Sequence, residues 1–397
     1  MGAAVAERPV KPEPVVATTL RFTADQEVLR PALAWAARVS PRSGFELPFT
    51  DAVRLTAGTA HSGGLRIDAV GVGSGLRLSQ WVDAKVSHAG EAVVSLRFLL
   101  RALSAMGPGA VTFAPVAKAT TAAELTAGDA RVGLQLCNRV EWEPWPEVLA
   151  NPGVRVPFAD GAAFVGAARA AISCAARDDS RPVLTCVQIK GEAGTVTFAG
   201  ADGFRLARVD LDYPEIPEFE AQIPVAVLSL VAAMAERARA PVWLRLTDEA
   251  AVFDTGDARI TCNLMPGTFP VYGQLVPDER STRCTAPVSA WRRAVKLAAI
   301  VGIPHMYEIV RLEMSPAGGL VVSAREDGIG SASMRLAAAV EGIENRIALN
   351  LGYLRDALAQ LSGDVSLEME TPNRQMVFRS TGTPGLLILV MPMFVQW

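Results

Sequence analysis

The pattern of apolar and polar positions along the chain states one arrangement three times, at intervals of roughly 120 to 130 residues. Alternating apolar runs, the period of a half-buried strand, flank a glycine-bearing turn at Gly73-Ser74-Gly75, at Asp202-Gly203 and at Asp327-Gly328. Each reads as a β-hairpin. Beyond each turn the apolar spacing becomes helical: Leu96, Leu99, Leu100 and Leu103, then Val227, Leu230, Val231 and Met234, then Leu351, Leu354 and Leu358. A second helix is predicted before each turn, over residues 29–39, 164–176 and 291–300; in the last, Trp291, Ala294, Val295 and Ala298 share one face. Each repeat also closes an apolar stretch on a proline, at Trp145-Pro146, Phe269-Pro270 and Met391-Pro392. An alanine-rich chain can mimic one helical stripe by chance, but not an ordered series of three. The reading is an α+β protein of three repeated domains, each with two helices packed on antiparallel sheets, at 19–150, 151–280 and 281–397. A proline-rich segment with no apolar run, residues 1–18, reads as a disordered leader.

Composition narrows the chemistry. Half of the 397 residues are hydrophobic and a fifth are charged, enough for good cores in three domains. No apolar stretch approaches the roughly 20 residues of a membrane span, so a soluble, cytoplasmic protein without a membrane partner is expected. The five cysteines, Cys137, Cys174, Cys186, Cys262 and Cys284, show no C-x-x-C spacing and are expected as buried thiols rather than as a zinc site or a disulfide framework. With three histidines and no H-E-x-x-H or G-x-S-x-G string, neither a metal nor a cofactor nor a catalytic residue is expected. The GVGSG string at residues 71–75 lacks the Lys-Ser/Thr of a phosphate loop and reads as a hairpin turn. An enzyme built on the carboxylates Asp254 and Asp257, or Glu326 and Asp327, is the weakest reading, because both pairs lie in turn-like strings where Asp serves hairpin chemistry.

The net charge of -3 by itself predicts no affinity for nucleic acid. Its distribution changes that. The helical segments carry Arg30, Arg38, Arg97, Arg101, Arg169, Arg177, Arg237, Arg239, Arg292, Arg293, Lys296 and Arg355 against Asp25, Glu27, Asp160, Glu236 and Asp356, a balance of about +7 that leaves about -10 elsewhere. Arg97 and Arg101 lie one turn apart, as do Arg292 and Lys296, so each pair projects from the polar side of its helix. A solvated face explains any one pair. The bias over all helices fits a surface that follows a phosphate backbone. No aromatic cluster or recognition-helix motif accompanies it, so base readout and single-strand stacking are not expected.

Five strings carry a resemblance: RPVLTCVQIK at 181–190, GADGFRLAR at 200–208, FPVYGQLVP at 269–277, LNLGYLRDALAQL at 349–361 and VMPM at 390–393. In their order and spacing the chain resembles the bacterial DNA polymerase III beta subunit, the sliding clamp, over most of its length. The first domain resembles it least, with ELPFTDAVRL at 46–55 the clearest fragment. The resemblance implies the DNA clamp fold: a head-to-tail homodimer closing into a ring, helices lining the hole, strands forming the wall. Such a protein catalyses nothing. It encircles duplex DNA without regard to sequence and tethers the polymerase, so Arg38, Arg97, Arg101, Arg169, Arg177, Arg237, Arg239, Arg292, Arg293 and Lys296 are expected to face the duplex.

The resemblance further implies a groove between the second and third domains that takes short linear peptides from the DNA polymerase and the clamp loader. Its matching positions are Leu184, Gly203, Phe204, Arg205, Leu206, Pro270, Gln274, Leu275, Gly352, Leu389, Val390, Met391, Pro392 and Met393. Phe204 stands where the family often has histidine and Gln274 where it commonly has arginine, so the groove is expected to be less polar and less cationic. The chain runs on past Met393 as Phe394-Val395-Gln396-Trp397, and Trp397 is expected to fold back over the groove mouth. By family position the dimer joint sets Leu134 and Leu136 against Ile300 and Val301 of the other copy, with exposed strand edges pairing across the boundary. The competing reading is a clamp-like peptide-binding adaptor, or a second clamp copy, that does not close on DNA.

Overall fold

The computed structural model describes residues 18–40, 51–58, 64–71, 75–117, 119–137, 153–277, 279–301 and 309–397. Its elements follow one order three times. The first run is β1 (Arg21–Asp25), α1 (Gln26–Val39), β2 (Ala52–Ala57), β3 (Gly64–Val70), β4 (Arg77–Asp83), β5 (Lys85–His88), β6 (Gly90–Ser95), α2 (Leu96–Met106), β7 (Ala110–Pro115), β8 (Ala122–Ala127) and β9 (Ala130–Gln135). The second is β10 (Val154–Phe158), α3 (Gly161–Cys174), β11 (Cys186–Glu192), β12 (Thr195–Ala201), β13 (Arg205–Asp212), β14 (Phe219–Pro224), α4 (Val225–Ala238), β15 (Val242–Leu246), β16 (Ala250–Asp254) and β17 (Ala258–Asn263). The third is β18 (Thr282–Pro287), α5 (Val288–Ala298), β19 (Ile309–Ser315), β20 (Gly319–Glu326), β21 (Gly330–Leu336), β22 (Ala339–Gly342), β23 (Asn345–Asn350), α6 (Leu351–Gln360), β24 (Asp364–Met369), β25 (Met376–Ser380) and β26 (Leu386–Val390).

Local chemistry sets the helix starts. Asp25, Ser95, Asp160 and Asn350 each accept a hydrogen bond from a backbone N–H of the first turn, while α4 and α5 follow Pro224 and Pro287, where the chain enters in extended conformation. The helices expected at 29–39, 164–176 and 291–300 begin three residues earlier and two of them end two residues sooner, because caps rather than the apolar stripe fix the ends. The strands that flank the three glycine strings pair antiparallel, as β3–β4, β12–β13 and β20–β21, with Gly73 and Ser74 of the first string outside the described residues.

Two compact units emerge, Met1–Pro157 with Val242–Asn263, and Phe158–Pro241 with Leu264–Trp397. In the first, α1 and α2 pack together over a five-stranded sheet, β5-β1-β7-β8-β9, and an eight-stranded sheet, β10-β15-β16-β17-β4-β3-β2-β6. Gln80 of β4 points inward and donates to the Ala32 carbonyl of α1. On the other face of that sheet the fully buried Asp68 carboxylate accepts from Arg54 at 3.1 Å, from Arg66 at 3.0 Å and from the Ser79 hydroxyl. In the second unit a nine-stranded sheet, β14-β11-β12-β13-β26-β25-β24-β18-β22, and a four-stranded sheet, β21-β20-β19-β23, carry four helices in the side-by-side order α4, α3, α6, α5. Trp291 of α5 is fully buried there against Phe378, and Phe164 against Phe198. Residues 151–280 contribute to both units, because main-chain pairing and not chain order draws their limits.

Two strand joints recur. The strand after the first glycine turn, β4, pairs with β17, the last strand of the second run, and the strand after the second turn, β13, pairs with β26, the last strand of the third run. The strand after the third turn is β21, and the last strand of the first run is β9. Each lies at a sheet edge, without a joining strand along its length among the described residues; just past β9, Leu136 bridges to Val94 and the Cys137 N–H donates to the Val93 carbonyl of β6.

The leader expected at residues 1–18 lies outside the described residues up to position 17, whereas Thr18 is buried with its hydroxyl accepting from the Leu20 N–H. Trp145-Pro146, His61 and His305 also lie outside them. Helix α3 seats directly on the sheet at Gly200, where a Cβ would fall inside the Ala171 carbonyl oxygen. Gly200→Ala is therefore expected to destabilise the protein by ~2 kcal/mol, an overpacking cost with backbone on the opposing side, read as a lowered midpoint in urea unfolding.

Candidate functional site

A seven-residue apolar floor lies on one face of the nine-stranded sheet, outside the helical layer: Leu184, Ala199, Leu206, Phe269, Val377, Leu387 and Leu389, with Val183, Tyr272 and Val276 packed against it. Six segments supply it. A 3-10 turn, Pro182–Thr185, drops Leu184 onto the sheet; β12 and β13 bring Ala199 and Leu206; β25 and β26 bring Val377, Leu387 and Leu389; the segment after Asn263 lays Phe269 and Tyr272 alongside. The β13–β26 joint makes this one surface, since Leu206 sits directly opposite Leu389 and Arg208 opposite Leu387. Phe269 and Tyr272 meet edge to face at 6.1 Å, and the Tyr272 hydroxyl donates to Gln188 at 3.0 Å. That burial pushes the Tyr272 hydroxyl above its ordinary pKa.

Around the floor the rim is apolar and open. Phe204 is 62 % exposed, Val271 77 %, Leu275 40 % and Met391 38 %. Four such side chains beside one apolar floor form a surface that lowers its free energy by taking apolar groups out of water. The rim is braced by hydrogen bonds: the Met391 N–H donates to the Phe204 carbonyl at 2.8 Å, and the Gln375 side-chain amide to the Leu275 carbonyl at 2.8 Å. Gly203 takes φ +93° in the turn, a conformation that favours glycine.

The groove residues read from the sequence divide into three groups. Leu184, Leu206 and Leu389 form the floor, and Phe204, Leu275 and Met391 the apolar rim, with Gly203, Pro270 and Gln274 exposed in the same two segments. Pro392 and Met393 continue past the rim, where the Met393 N–H donates to Ala348 of β23. Arg205, Val390 and Gly352 stand elsewhere. Successive strand residues face opposite sides, so Val390, next to Leu389, is fully buried on the helix side. Arg205, next to Leu206, likewise points toward the helices, and Gly352 belongs to the first turn of α6. The floor residues Phe269, Ala199, Val377 and Leu387 were not singled out from the sequence. Leu387 lies two positions before Leu389 and could have been found by strand period; Val377 arrives through a neighbouring strand and left no local sign.

Arg205 carries the densest charge network of the site. Its side chain, 5 % exposed, donates to Asp202 at 2.8 Å and to Asp356 of α6 at 2.8 Å, and lies 4.4 Å from the Tyr353 ring centroid. Burial pulls the guanidinium pKa down, but the bonds to Asp356 and Asp202 outweigh it and leave the pKa above the usual arginine value. Nearby, burial pushes the Cys174 thiol up to about 11 against the pull of Arg205. Cys186, at about 11, and Cys284, at about 12, are raised by burial in the same way.

The helix cations are not equally free. Arg169 is in a two-armed pair with Glu236 of α4, at 2.7 and 2.5 Å. The bond holds the exposed glutamate below its usual range. Arg292 donates to the carbonyls of Leu358 at 2.7 Å and Leu361 at 3.0 Å, satisfying the last turn of α6. Arg97 lies 3.2 Å from Asp51. Arg38 and Arg101 lie over the rings of Trp35 and Phe98, at 4.6 and 5.9 Å. Arg237, Arg293 and Lys296 are exposed on their helices. Arg177 falls three residues past the end of α3 and Arg239 is the left-handed cap of α4, so neither belongs to a helix body as the apolar pattern implied.

At the expected joint, Leu134, Leu136 and Val301 are buried within the chain, whereas Ile300 is 70 % exposed. Trp397 lies over the Arg346 guanidinium at 4.7 Å, and Arg311 donates to the Gln396 carbonyl at 3.4 Å. The tail is thus held along β23 and not in the floor cluster, because two strand arginines offer its ring and main chain better partners than the groove does. Among the carboxylates, Asp254 is bound by Arg245 and Arg259, and Asp327 faces solvent beside Arg325. Among the described residues no group of three or more His, Cys, Asp or Glu could hold a metal, and no helix is long and apolar enough to cross a membrane.

Over residues 165–271 the chain matches the family described as DNA polymerase III beta subunit, central domain, and over 273–394 its C-terminal domain. The two matches together take in more than half of the chain. It is 29% identical over 380 residues to the beta sliding clamp of Streptomyces coelicolor, covering 93% of each chain. It is 25% identical over 346 residues to that of Synechocystis sp., covering 83% of this chain and 88% of the relative. In fold it is similar to the DNA polymerase sliding clamp from Bacillus subtilis, with TM-score 0.84 and 17% identity over 95% of this chain and 100% of that one. The sliding clamp from Pseudomonas aeruginosa bound to griselimycin gives TM-score 0.85 and 21% identity over the same shares. Two domain matches in the expected order, relatives spanning nearly the whole length and a shared fold place this chain, as a divergent member, in the DNA polymerase III beta subunit family.

Proposed function

We propose that this protein is a sliding clamp: two copies close head to tail around duplex DNA and tether the replicative polymerase, which supplies the chemistry. The repeated strand joint carries the reading. Twice within the chain the strand after a glycine turn pairs with the last strand of the following run, as β4–β17 and β13–β26, and the same pairing rule leaves β21 and β9 to be satisfied by a second copy. An open β21 on one copy meeting β9 on the next is a heterologous contact, and two such contacts by a rotation that closes make a ring. The opposite edge of the β21 sheet is taken by the chain's own tail through Met393 and Ala348, which supports β21 as the joining edge. Two available edges favour the closing clamp over an adaptor that does not encircle DNA.

Topology then replaces tight binding. Exposed Arg237, Arg293 and Lys296, with the partly committed Arg38, Arg97 and Arg101, supply screened contacts to phosphate without a base-specific element. The neutralisation of Arg169 by Glu236 keeps those contacts weak enough for sliding. The apolar floor and its rim take a short linear peptide of the polymerase or the clamp loader. Phe204 and Gln274, in positions where the family commonly offers histidine and arginine, favour apolar over acidic anchors.

The clamp is expected to be retained on nicked circular duplex DNA after loading and to be released when the circle is linearised; retention on linear DNA with free ends would overturn encirclement. Just past β9 the Leu136 N–H bonds back to Thr121, so by alternation the Gly133 N–H of β9 points to the open edge, and a Cβ at Gly133 meets nothing. Gly133→Pro removes that donor, and monomers with unchanged circular dichroism are expected in sedimentation velocity. Met391→Asp is expected to weaken griselimycin binding, measured by calorimetry, at least about tenfold.

A further inference from the structure

Arg205 presents a puzzle of placement. It neighbours the groove in sequence, yet its side chain turns away from the floor and commits a buried charge to two carboxylates of different elements. Asp202 belongs to the same turn as Arg205. It accepts from the Phe204 N–H at 2.9 Å and the Arg205 N–H at 3.0 Å as well as from the guanidinium, so the turn and the arginine head form one rigid body. The sheet holds that body only along its strands, and α6 ties the turn to the helical layer. Asp356, 151 residues further along the chain, takes the other arm of the guanidinium at 2.8 Å, and the ring of Tyr353, one turn earlier on α6, stacks on it. A guanidinium out of water stays where its carboxylates are, because leaving it unpaired is costly.

The turn also carries the groove's lip. Phe204 is its exposed tip, and the Phe204 carbonyl holds the Met391 N–H. Arg205 itself is paired main chain to main chain with Val390, the residue before Met391. Both apolar lips therefore move with a turn whose anchor is on α6. We propose that Asp356, acting through Arg205 with Tyr353 as its backing, is a positioning residue that sets the mouth of the peptide groove. The Asp356 and Arg205 side chains meet on the helix side of the sheet, opposite the floor cluster. The role rests on the groove reading above, in which the same lips grip the bound peptide.

Asp356→Asn keeps the shape and removes the charge, and is expected to weaken griselimycin binding about tenfold, the scale of one charge-assisted bond. Asp356→Glu should recover most of it. With Arg205→Met in place, Asp356→Asn should cost nothing more, because its effect travels through the guanidinium. Hydrogen exchange provides a readout that needs no ligand: the amides of Phe204, Arg205 and Met391 should exchange faster in Asp356→Asn while those of β24 keep their protection. Should Asp356→Asn fail to fold, Tyr353→Leu leaves both carboxylates and is expected to loosen the same three amides. Unchanged exchange at those amides, or an Asp356→Asn penalty that adds in full to that of Arg205→Met, overturns the proposal. Failure of the parent protein to bind griselimycin counts against the groove reading, and the exchange experiment then still decides the role of Asp356.

Discussion

An unpaired strand edge is the constraint on which the rest of this structure depends. Every edge residue presents backbone groups that must find partners, and a repeated helix-and-sheet module leaves an edge at each end of itself. Here the chain answers by joining β4 to β17 and β13 to β26, so that strands far apart in sequence become neighbours in one sheet. The chemistry that merges the repeats into compact units is the same that the proposed ring would use to receive a second copy, so that association and folding there are one kind of bond used at different sequence separations.

The β13–β26 joint does more than hold the second unit together. By setting Leu206 opposite Leu389 it creates the apolar floor, and by setting Arg205 opposite Val390 it brings the charged network to the other face of the same two strands. An apolar floor and a charged network are therefore two sides of one joint. The helix side can hold a guanidinium because two carboxylates and a tyrosine ring lie there.

Charge is distributed with similar economy. The helices carry an excess of arginine, but several of these side chains already have employment: Arg292 completes the end of α6, Arg169 holds α4 through Glu236, and Arg97 meets Asp51. What remains is a modest, exposed set. For the proposed clamp, held on its track by topology, modest is sufficient, since a stronger lattice of phosphate contacts would slow its movement.

From the sequence by itself came the threefold order, the hairpins at the glycine turns and the six helical stripes. These are local properties: a period of two or of 3.6, a cap or a turn residue speaks for its own few neighbours. Tertiary structure alone decided which strands join, that Val390 and Arg205 face away from the groove, that Val377 enters its floor, that Arg169 is neutralised, and that Trp397 rests on Arg346. Each of those outcomes depends on a partner from a distant part of the chain, and periodicity carries no information about which distant partner a strand edge or a charge will meet.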